Sequence, residues 1–154
     1  MKIAIGNDHR GYIMKLDLMG YMKSHGHDVV DIGFHDAVLS DHPVSAFKVG
    51  EAVAKHQCDR GVLICGSGVG MVVAANKVKG IAAFSPMSEF QTRMSREHND
   101  TNVIVFAADF IGSGLARAIL KIWLETGIDN DERYVRRRKM IADYENKKIQ
   151  IDFK

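Results

Sequence analysis

The sequence predicts a single doubly wound α/β domain, in which a five-stranded parallel sheet of Rossmann-like type carries helices on both faces. Five short apolar runs, four of them strongly β-branched, alternate with stretches of helical spacing. Consecutive β-α units imply parallel strands, because parallel strands are joined by right-handed crossovers. The 154 residues suit one core, and no linker or repeat divides them. We therefore expect one domain over residues 1–154.

The first half of the chain predicts three strands and two helices. Strands are expected at 3–5 (Ile-Ala-Ile), 29–32 (Val-Val-Asp-Ile) and 61–65 (Gly-Val-Leu-Ile-Cys). The helix between the first two strands is indicated by one predicted face, made of Tyr12, Leu16, Met19 and Met22. The second helix is indicated in the same way by Phe47, Val49 and Val53.

The second half continues the alternation. Helices are expected at about 69–78, 87–97 and 112–125, and strands at 81–84 (Ile-Ala-Ala-Phe) and 102–106 (Asn-Val-Ile-Val-Phe). A final helix at about 131–148 is largely polar, so it has the weakest reason to pack on its own sheet. We expect this helix and the tail to residue 154 to reach a second subunit.

Composition excludes several classes of protein. No apolar run approaches a bilayer-spanning length, and charged residues directly follow the apolar start of the chain, so a cytoplasmic protein is expected. Cys58 and Cys65 form neither a disulfide framework nor a zinc-binding spacing, so no metal is expected.

The net charge of +2 has a local origin. Five of the 21 basic residues lie within 133–139, and the rest of the chain is mildly acidic. Such a patch suits a small anion at least as well as a polyanion. Nucleic-acid binding is the weakest interpretation, because the patch is short and its only aromatic residue is Tyr134.

In an open α/β sheet the ligand site lies at the carboxyl ends of the strands, which directs attention to the residues that follow them. After the first strand come Asp8 and His9. Asp8 can cap the helix that follows or contact a ligand. His9 lies beside it at the mouth of the sheet and is harder to explain as a structural residue.

The third strand leads into a glycine-rich turn with Gly66, Gly68 and Gly70. Bare backbone in such a turn can approach a ligand, and the helix that follows favours negative charge. The turn lacks the Walker and dinucleotide signatures. Cys65 is the last strand residue, where a helix N-terminus lowers a thiol pKa, although cysteines in apolar runs are mostly inert. Ser67 could hydrogen-bond the sulfur or a substrate oxygen, while Cys58 is expected only to pack.

Two further groups of polar residues lie later in the chain. His98 and Asn99 end the fourth helix, where they either cap it or provide proton transfer near neutral pH. Arg133 and Arg137 lie four residues apart on one helix face and can grip a phosphate, unless they belong to a solvated charge run. Arg136 and Arg138 are expected to point away from that face.

Taken together and in this order, these residues resemble the family of type B ribose-5-phosphate isomerases and galactose-6-phosphate isomerases. The resemblance runs from Met1 to about Ile141. Its most specific stretches are IGNDHRG (5–11), DRGVLICGSGVGMVVAANKVKGI (59–81) and MSREHNDTNV (94–103).

The resemblance implies reversible aldose–ketose isomerisation of a phosphosugar, without metal or cofactor, in a homodimer or tetramer whose sites lie between subunits. It implies that Cys65 is the general base, that Ser67 lies near the proton transfer and that His98 opens the sugar ring. The remaining positions that it assigns to substrate binding are Asp8, His9, His42, Gly66, Gly68, Val69, Gly70, Asn99, Arg133 and Arg137.

Three departures from the family pattern concern the substrate. Asp109 and Ala82 stand where the family commonly has Arg, and His42 replaces a frequent Tyr. Ribose 5-phosphate is the expected substrate, and another tetrose, pentose or hexose phosphate is the alternative. A non-catalytic phosphosugar-binding subunit is a third hypothesis, against which the presence of Cys65 and His98 argues.

Overall fold

The computed structural model describes residues 1–150, in which strands and helices alternate. The strands are β1 (Lys2–Asn7), β2 (Asp28–Asp31), β3 (Arg60–Cys65), β4 (Ala83–Phe84) and β5 (Val103–Ala107). The helices are α1 (Tyr12–Ser24), α2 (His42–Ala54), α3 (Val69–Ala75), α4 (Glu89–Asn99), α5 (Ser113–Glu125) and α6 (Glu132–Glu145), and a 3-10 turn (His9–Gly11) precedes α1. Each predicted element is present. The end of the predicted tail, 151–154, lies outside the described residues.

All five strands run parallel in one sheet, in the order β2-β1-β3-β5-β4. The chain passes from β1 outward to β2 and then back across β1 to β3, so the strand order reverses between β1 and β3. At their carboxyl ends, Asn7 pairs with Ile64, and Cys65 pairs with Ala107. The predicted doubly wound fold is confirmed, and a ligand is expected at this edge.

Strand β4 is shorter than the apolar run predicts. The Asn102 side-chain oxygen accepts a hydrogen bond from the Ala82 backbone N–H at 2.9 Å, and the Asn76 side-chain oxygen accepts one from the Ala83 N–H at 2.8 Å. The Ala82 amide therefore bonds to a side chain of the segment before β5, and the regular strand begins at Ala83.

Hydrophobic cores cover both faces of the sheet, as the β-branched strands predict. Helices α1 and α5 pack on one face, where Trp123 is fully buried. Helices α2 and α3 pack on the other. Because side chains alternate along a strand, Ile64 belongs to the first core and Cys65 to the second. Cys65 thus ends the core beneath α2 and α3.

Helix α1 buries only part of the face that its apolar spacing predicts. Met14, Leu18 and Met22 are buried, whereas Leu16 is 43% exposed. In the same way Phe47 of α2 is 42% exposed. Apolar residues surround most of α1, so their spacing alone did not identify the face that meets the sheet.

A buried lysine completes the inner face of α1. The Lys15 side chain is fully buried, and its ammonium donates to the two Asp31 carboxylate oxygens at 3.1 and 2.9 Å. It also donates to the Phe34 carbonyl at 2.6 Å. Since a buried ammonium requires a charged partner, this network fixes α1 to the end of β2 and to the loop that follows.

The start of α1 approaches β3 so closely that Gly11 has no room for a side chain. A Cβ at Gly11 would lie 2.3 Å from the Ile64 carbonyl oxygen. We expect Gly11→Ala to lower the free energy of unfolding by about 3 kcal/mol, because backbone must move. Gly20→Ala, within α1 and with nothing within 4 Å of its Cβ, is the matched control. It should stabilise by about 0.5–1 kcal/mol in urea unfolding. A Gly11→Ala midpoint equal to that of the parent would contradict this close approach.

Helix α6 lies on its own chain through polar contacts. Both Glu145 carboxylate oxygens accept from the Gly80 N–H at 3.0 Å, and none of the α6 residues is buried. The expected contact of this helix with a second subunit stays a prediction. Within residues 1–150, no helix combines the length and apolarity needed to cross a membrane.

Candidate active site

Three loops meet at the carboxyl edge of the sheet and are joined through their backbones. The Asp8 N–H donates to the Ile64 carbonyl at 3.1 Å, which links the end of β1 to β3. The Ala108 N–H donates to the Cys65 carbonyl at 2.8 Å, and the Asp109 N–H donates to the Gly66 carbonyl at 3.1 Å. These bonds join the glycine turn to the loop after β5. The arrangement that we call the strand-end site comprises Asp8, His9, Arg10, His42, Cys65–Gly70, Ser85 and Asp109.

The Cys65 thiol lies beneath the glycine turn. The residue is 4% exposed, and its sulfur accepts a hydrogen bond from the Gly68 backbone N–H at 3.2 Å. Burial raises the pKa of this thiol, although backbone N–H groups of Gly68, Met71 and Ser67 act in the opposite direction. The expectation of a lowered pKa at the helix N-terminus is therefore wrong, because desolvation outweighs the donors.

Ser67 and Val69 project from the same turn. Ser67 is exposed, and within residues 1–150 its hydroxyl makes no hydrogen bond to the Cys65 sulfur, which accepts one from the Gly68 N–H. Of the two roles expected for Ser67, only contact with a substrate oxygen therefore remains. Val69 begins α3 and is 65% exposed.

An ion pair covers Gly66. Arg10 Nη2 lies 2.8 Å from Asp109 Oδ2. A Cβ at Gly66 would be 2.7 Å from Arg10 Nε and 2.6 Å from Asp109 Oδ2. The hydrogen bond and charge of Asp109 raise the pKa of Arg10. Asp109, which departs from the family pattern, is thus paired with a cation that sequence reasoning missed. The position of Arg10 just after β1 could have identified it as a candidate site residue.

Two more side chains, those of Ser85 and His42, lie against the glycine turn. Gly68 has a φ of +78°, which favours glycine, and a Cβ there would be 2.6 Å from the Ser85 hydroxyl. A Cβ at Gly70 would be 2.5 Å from His42 Nε2. The His42 imidazole therefore lies against the end of the glycine turn. Ser85 was not singled out from the sequence, although it directly follows β4.

The capping interpretation of Asp8 is confirmed. One carboxylate oxygen, Oδ1, accepts from the Arg10 and Gly11 backbone N–H groups at 2.9 and 3.0 Å, and the residue is buried. Next to it, His9 Nδ1 accepts from the Ser40 backbone N–H at 3.4 Å. A neutral His9 with this bond carries its proton on Nε2. Ligand contacts of Asp8 and His9 stay predictions.

His98 and Asn99 lie at the opposite edge of the sheet from Cys65. They end α4, only a few residues before β5 begins at Val103, whereas Cys65 pairs with Ala107 at the far end of β5. Four residue steps along a strand span roughly 13 Å. The two catalytic candidates are therefore not brought together within one chain.

The C-cap interpretation of His98 and Asn99 is wrong in detail. The residue that ends α4 in the left-handed conformation is Asp100, with a φ of 51°. Its carboxylate pairs with Arg96 at 2.7 Å. His98 and Asn99 are left as helical residues, with Asn99 exposed and His98 half-buried.

Helix α6 adds a second group of functional candidates beside His98. The His98 and Tyr134 rings stack with centroids 3.8 Å apart and an interplanar angle of 14°. The Arg133 guanidinium lies 4.5 Å from the Tyr134 ring centroid, and its Nη2 donates to the Tyr134 hydroxyl at 2.8 Å. Arg133 and Arg137 are both exposed. This helix-end cluster comprises His98, Asn99, Arg133, Tyr134, Arg137 and Arg138.

Arg138 bonds to backbone carbonyls at the end of α4 and before α6. Its Nη1 donates to the Glu97 and His98 carbonyls, both at 3.2 Å, and its Nη2 donates to the Asp129 carbonyl at 2.9 Å. The last carbonyls of a helix lack partners within the helix, and Arg138 supplies one here. It thereby joins α6 to the end of α4.

Comparison with known proteins gives consistent results. The sequence profile of the family described as ribose/galactose isomerase matches residues 3–141. A putative sugar phosphate isomerase of Bacillus subtilis is 41% identical over 97% of this chain and its own full length. Ribose-5-phosphate isomerase B of Escherichia coli is 42% identical over 80% of this chain and 83% of its own.

A solved structure of the same family has the same fold. A further relative is named for a different substrate. The ribose-5-phosphate isomerase B of Clostridium thermocellum superimposes with a TM-score of 0.93 at 40% identity, covering 97% of this chain and 100% of that one. D-erythrulose-4-phosphate isomerase 2 of Mycolicibacterium smegmatis is 33% identical over 94% of this chain and 97% of its own.

Proposed function

The chain belongs to the ribose/galactose isomerase family of sugar-phosphate isomerases, and on that premise we propose that it interconverts ribose 5-phosphate and ribulose 5-phosphate without a metal ion. One observation carries the proposal. A buried thiol, Cys65, ends β3 at the edge where strand order reverses, with its sulfur held by the N–H of a glycine turn. A base beside preorganised N–H donors is what an enediolate mechanism requires.

In the proposed reaction, His98 first promotes opening of the sugar ring. The Cys65 thiolate then removes the proton from C2, and the electrons pass to the C1 carbonyl to give an enediolate. The thiol returns its proton to C1, while a proton moves from O2 to O1, so aldose and ketose differ by these two transfers alone. A base of raised pKa is a strong acceptor, and it is thiolate in a smaller fraction of molecules at neutral pH.

We further propose that each site is shared between two subunits of a cytoplasmic homodimer. The strand-end site supplies Cys65, and the helix-end cluster of the partner supplies His98, Asn99, Arg133 and Arg137. The opposite positions of the two groups on one sheet support this division. Helix α6 buries none of its residues, and its Val135 and Ile141 are 44% and 64% exposed, which supports its contact with the partner.

A different phosphosugar is the second candidate substrate. The Arg10–Asp109 ion pair puts a carboxylate at the strand-end site, and His42 lies against Gly70. Asp109 and His42 stand where this sequence departs from the family pattern, so they favour a site that fits a different sugar. A relative named for D-erythrulose 4-phosphate supports widening the choice to a tetrose phosphate.

The deciding experiment offers purified protein a panel of tetrose, pentose and hexose phosphates in D₂O, with a chelator present and no metal added. Deuterium incorporation and product formation are followed by NMR. Turnover of ribose 5-phosphate is the expected result, and turnover of another sugar alone supports the second candidate. Binding without exchange would instead support the non-catalytic subunit, and loss of turnover on chelation would contradict the metal-free reaction.

A further inference from the structure

Tyr134 contacts two of the residues to which the proposed function assigns roles. On one side its ring stacks on His98, and on the other its hydroxyl and ring contact Arg133. We propose that Tyr134 is a positioning residue that orients the ring-opening imidazole and the phosphate-binding guanidinium together. This inference rests on the proposed function and adds a residue that the sequence analysis did not select for catalysis.

The stack fixes the plane of the His98 ring. Two rings 3.8 Å apart and 14° from parallel leave the imidazole little freedom to rotate about its Cβ–Cγ bond without losing the stack. Arg138 holds the His98 carbonyl at 3.2 Å, so the backbone of His98 is tied to α6 as well. Helix α6, which also carries Arg133 and Arg137, therefore sets the orientation of the imidazole.

The second contact restrains Arg133. An exposed arginine samples many rotamers, and ordering it on ligand binding costs conformational free energy. The Tyr134 hydroxyl accepts from Nη2 at 2.8 Å, and the guanidinium carbon lies 4.5 Å from the ring centroid. Arg133 has further N–H groups with which to bind a phosphate. Tyr134 therefore supplies part of the preorganisation that the phosphate would otherwise have to impose.

Two substitutions separate the contacts. Tyr134→Phe keeps the ring on His98 and removes the acceptor for Arg133. We expect it to raise KM for ribose 5-phosphate about fivefold with little change in kcat, because a hydrogen bond used in ground-state binding is lost. Tyr134→Leu removes the ring as well, and we expect kcat from ribose 5-phosphate to fall by about tenfold in addition.

Proton exchange in the ketose isolates the ring-opening step. Ribulose 5-phosphate has its terminal hydroxyl blocked by phosphate and stays open-chain, so exchange of its C1 proton with D₂O needs the base and no ring opening. At saturating ribulose 5-phosphate, Tyr134→Leu should exchange this proton at nearly the parent rate. A positioning role toward His98 thus predicts a loss of turnover from ribose 5-phosphate without a loss of ketose proton exchange, which a general structural defect would not produce.

Tyr144, on the same helix and 63% exposed, provides matched controls as Tyr144→Phe and Tyr144→Leu. Melting temperatures of all four variants check the fold. Unchanged KM in Tyr134→Phe, or an equal loss of ring-opening turnover and ketose exchange in Tyr134→Leu, would overturn the inference while the parent enzyme remains active. A parent protein that isomerises no ribose 5-phosphate would overturn the proposed function, and this inference with it.

Discussion

Replacing Cys65 with alanine is expected to lower isomerase turnover by about 10³-fold or more, since a positioned base contributes 10²–10⁴-fold. The fold should survive, because alanine removes one buried sulfur and the hydrogen bond that this sulfur accepts from Gly68. Loss of such a bond costs about 1 kcal/mol. Turnover by NMR and the melting temperature measure the two effects separately.

Cys58→Ala is the matched control, because Cys58 is also a buried free cysteine and lies outside the strand-end site. Its turnover should equal that of the parent. If Cys65→Ala kept a tenth of the parent turnover, Cys65 would no longer be a candidate for the base.

The raised pKa of the Cys65 thiol also determines how the parent enzyme responds to pH. Burial favours the neutral thiol, so the reactive thiolate fraction grows as pH rises through neutral into the alkaline range. We therefore expect kcat/KM to increase over that interval. The profile is recorded between neutral and alkaline pH, with unfolding followed in parallel to exclude loss of protein.

Mixing two variants that each fail to turn over ribose 5-phosphate is expected to restore turnover of that sugar. Cys65→Ala and His98→Asn each disable one half of every site. In a mixed dimer, one site receives both damaged halves and the other receives both intact halves. After free exchange of subunits, the mixture should regain about a quarter of the parent activity, because half of the dimers are mixed and each has one intact site.

The unmixed variants, treated identically, are the controls and should stay inactive. Recovery distinguishes a shared site from one built within a chain, where every subunit would carry one defect and mixing would change nothing. An inactive mixture, with subunit exchange confirmed by mass spectrometry, would contradict the division of the site.

The order of strands and helices could be predicted from the sequence largely because the three central strands, β1, β3 and β5, are buried on both faces and so read as short apolar runs. The buried face of α1 could not, since apolar residues occur around most of that helix and Lys15 is buried by its pairing with Asp31. The apolar periodicity of a helix shows which of its residues are apolar. Which face of the helix is buried depends on the elements that pack against it.

At the site, the residues that follow strands were predictable, and their partners were not. Asp8, Cys65 and the glycine turn lie where the topology requires. The pairing of Arg10 with Asp109 joins residues that are distant in sequence, as does the stack of His98 on Tyr134. The direction of the thiol pKa was also missed, because it depends on how deeply the sulfur is buried.

The depth of the Cys65 sulfur has a consequence for the survival of the enzyme under oxidative stress. Peroxides attack thiolates that they can reach, and damage proceeds from sulfenic to irreversible sulfonic acid. Cys65 is 4% exposed, and the burial that raises its thiol pKa leaves little thiolate for a peroxide to attack. The same burial that strengthens the residue as a proton acceptor thus shields it from becoming a redox-sensitive weak point.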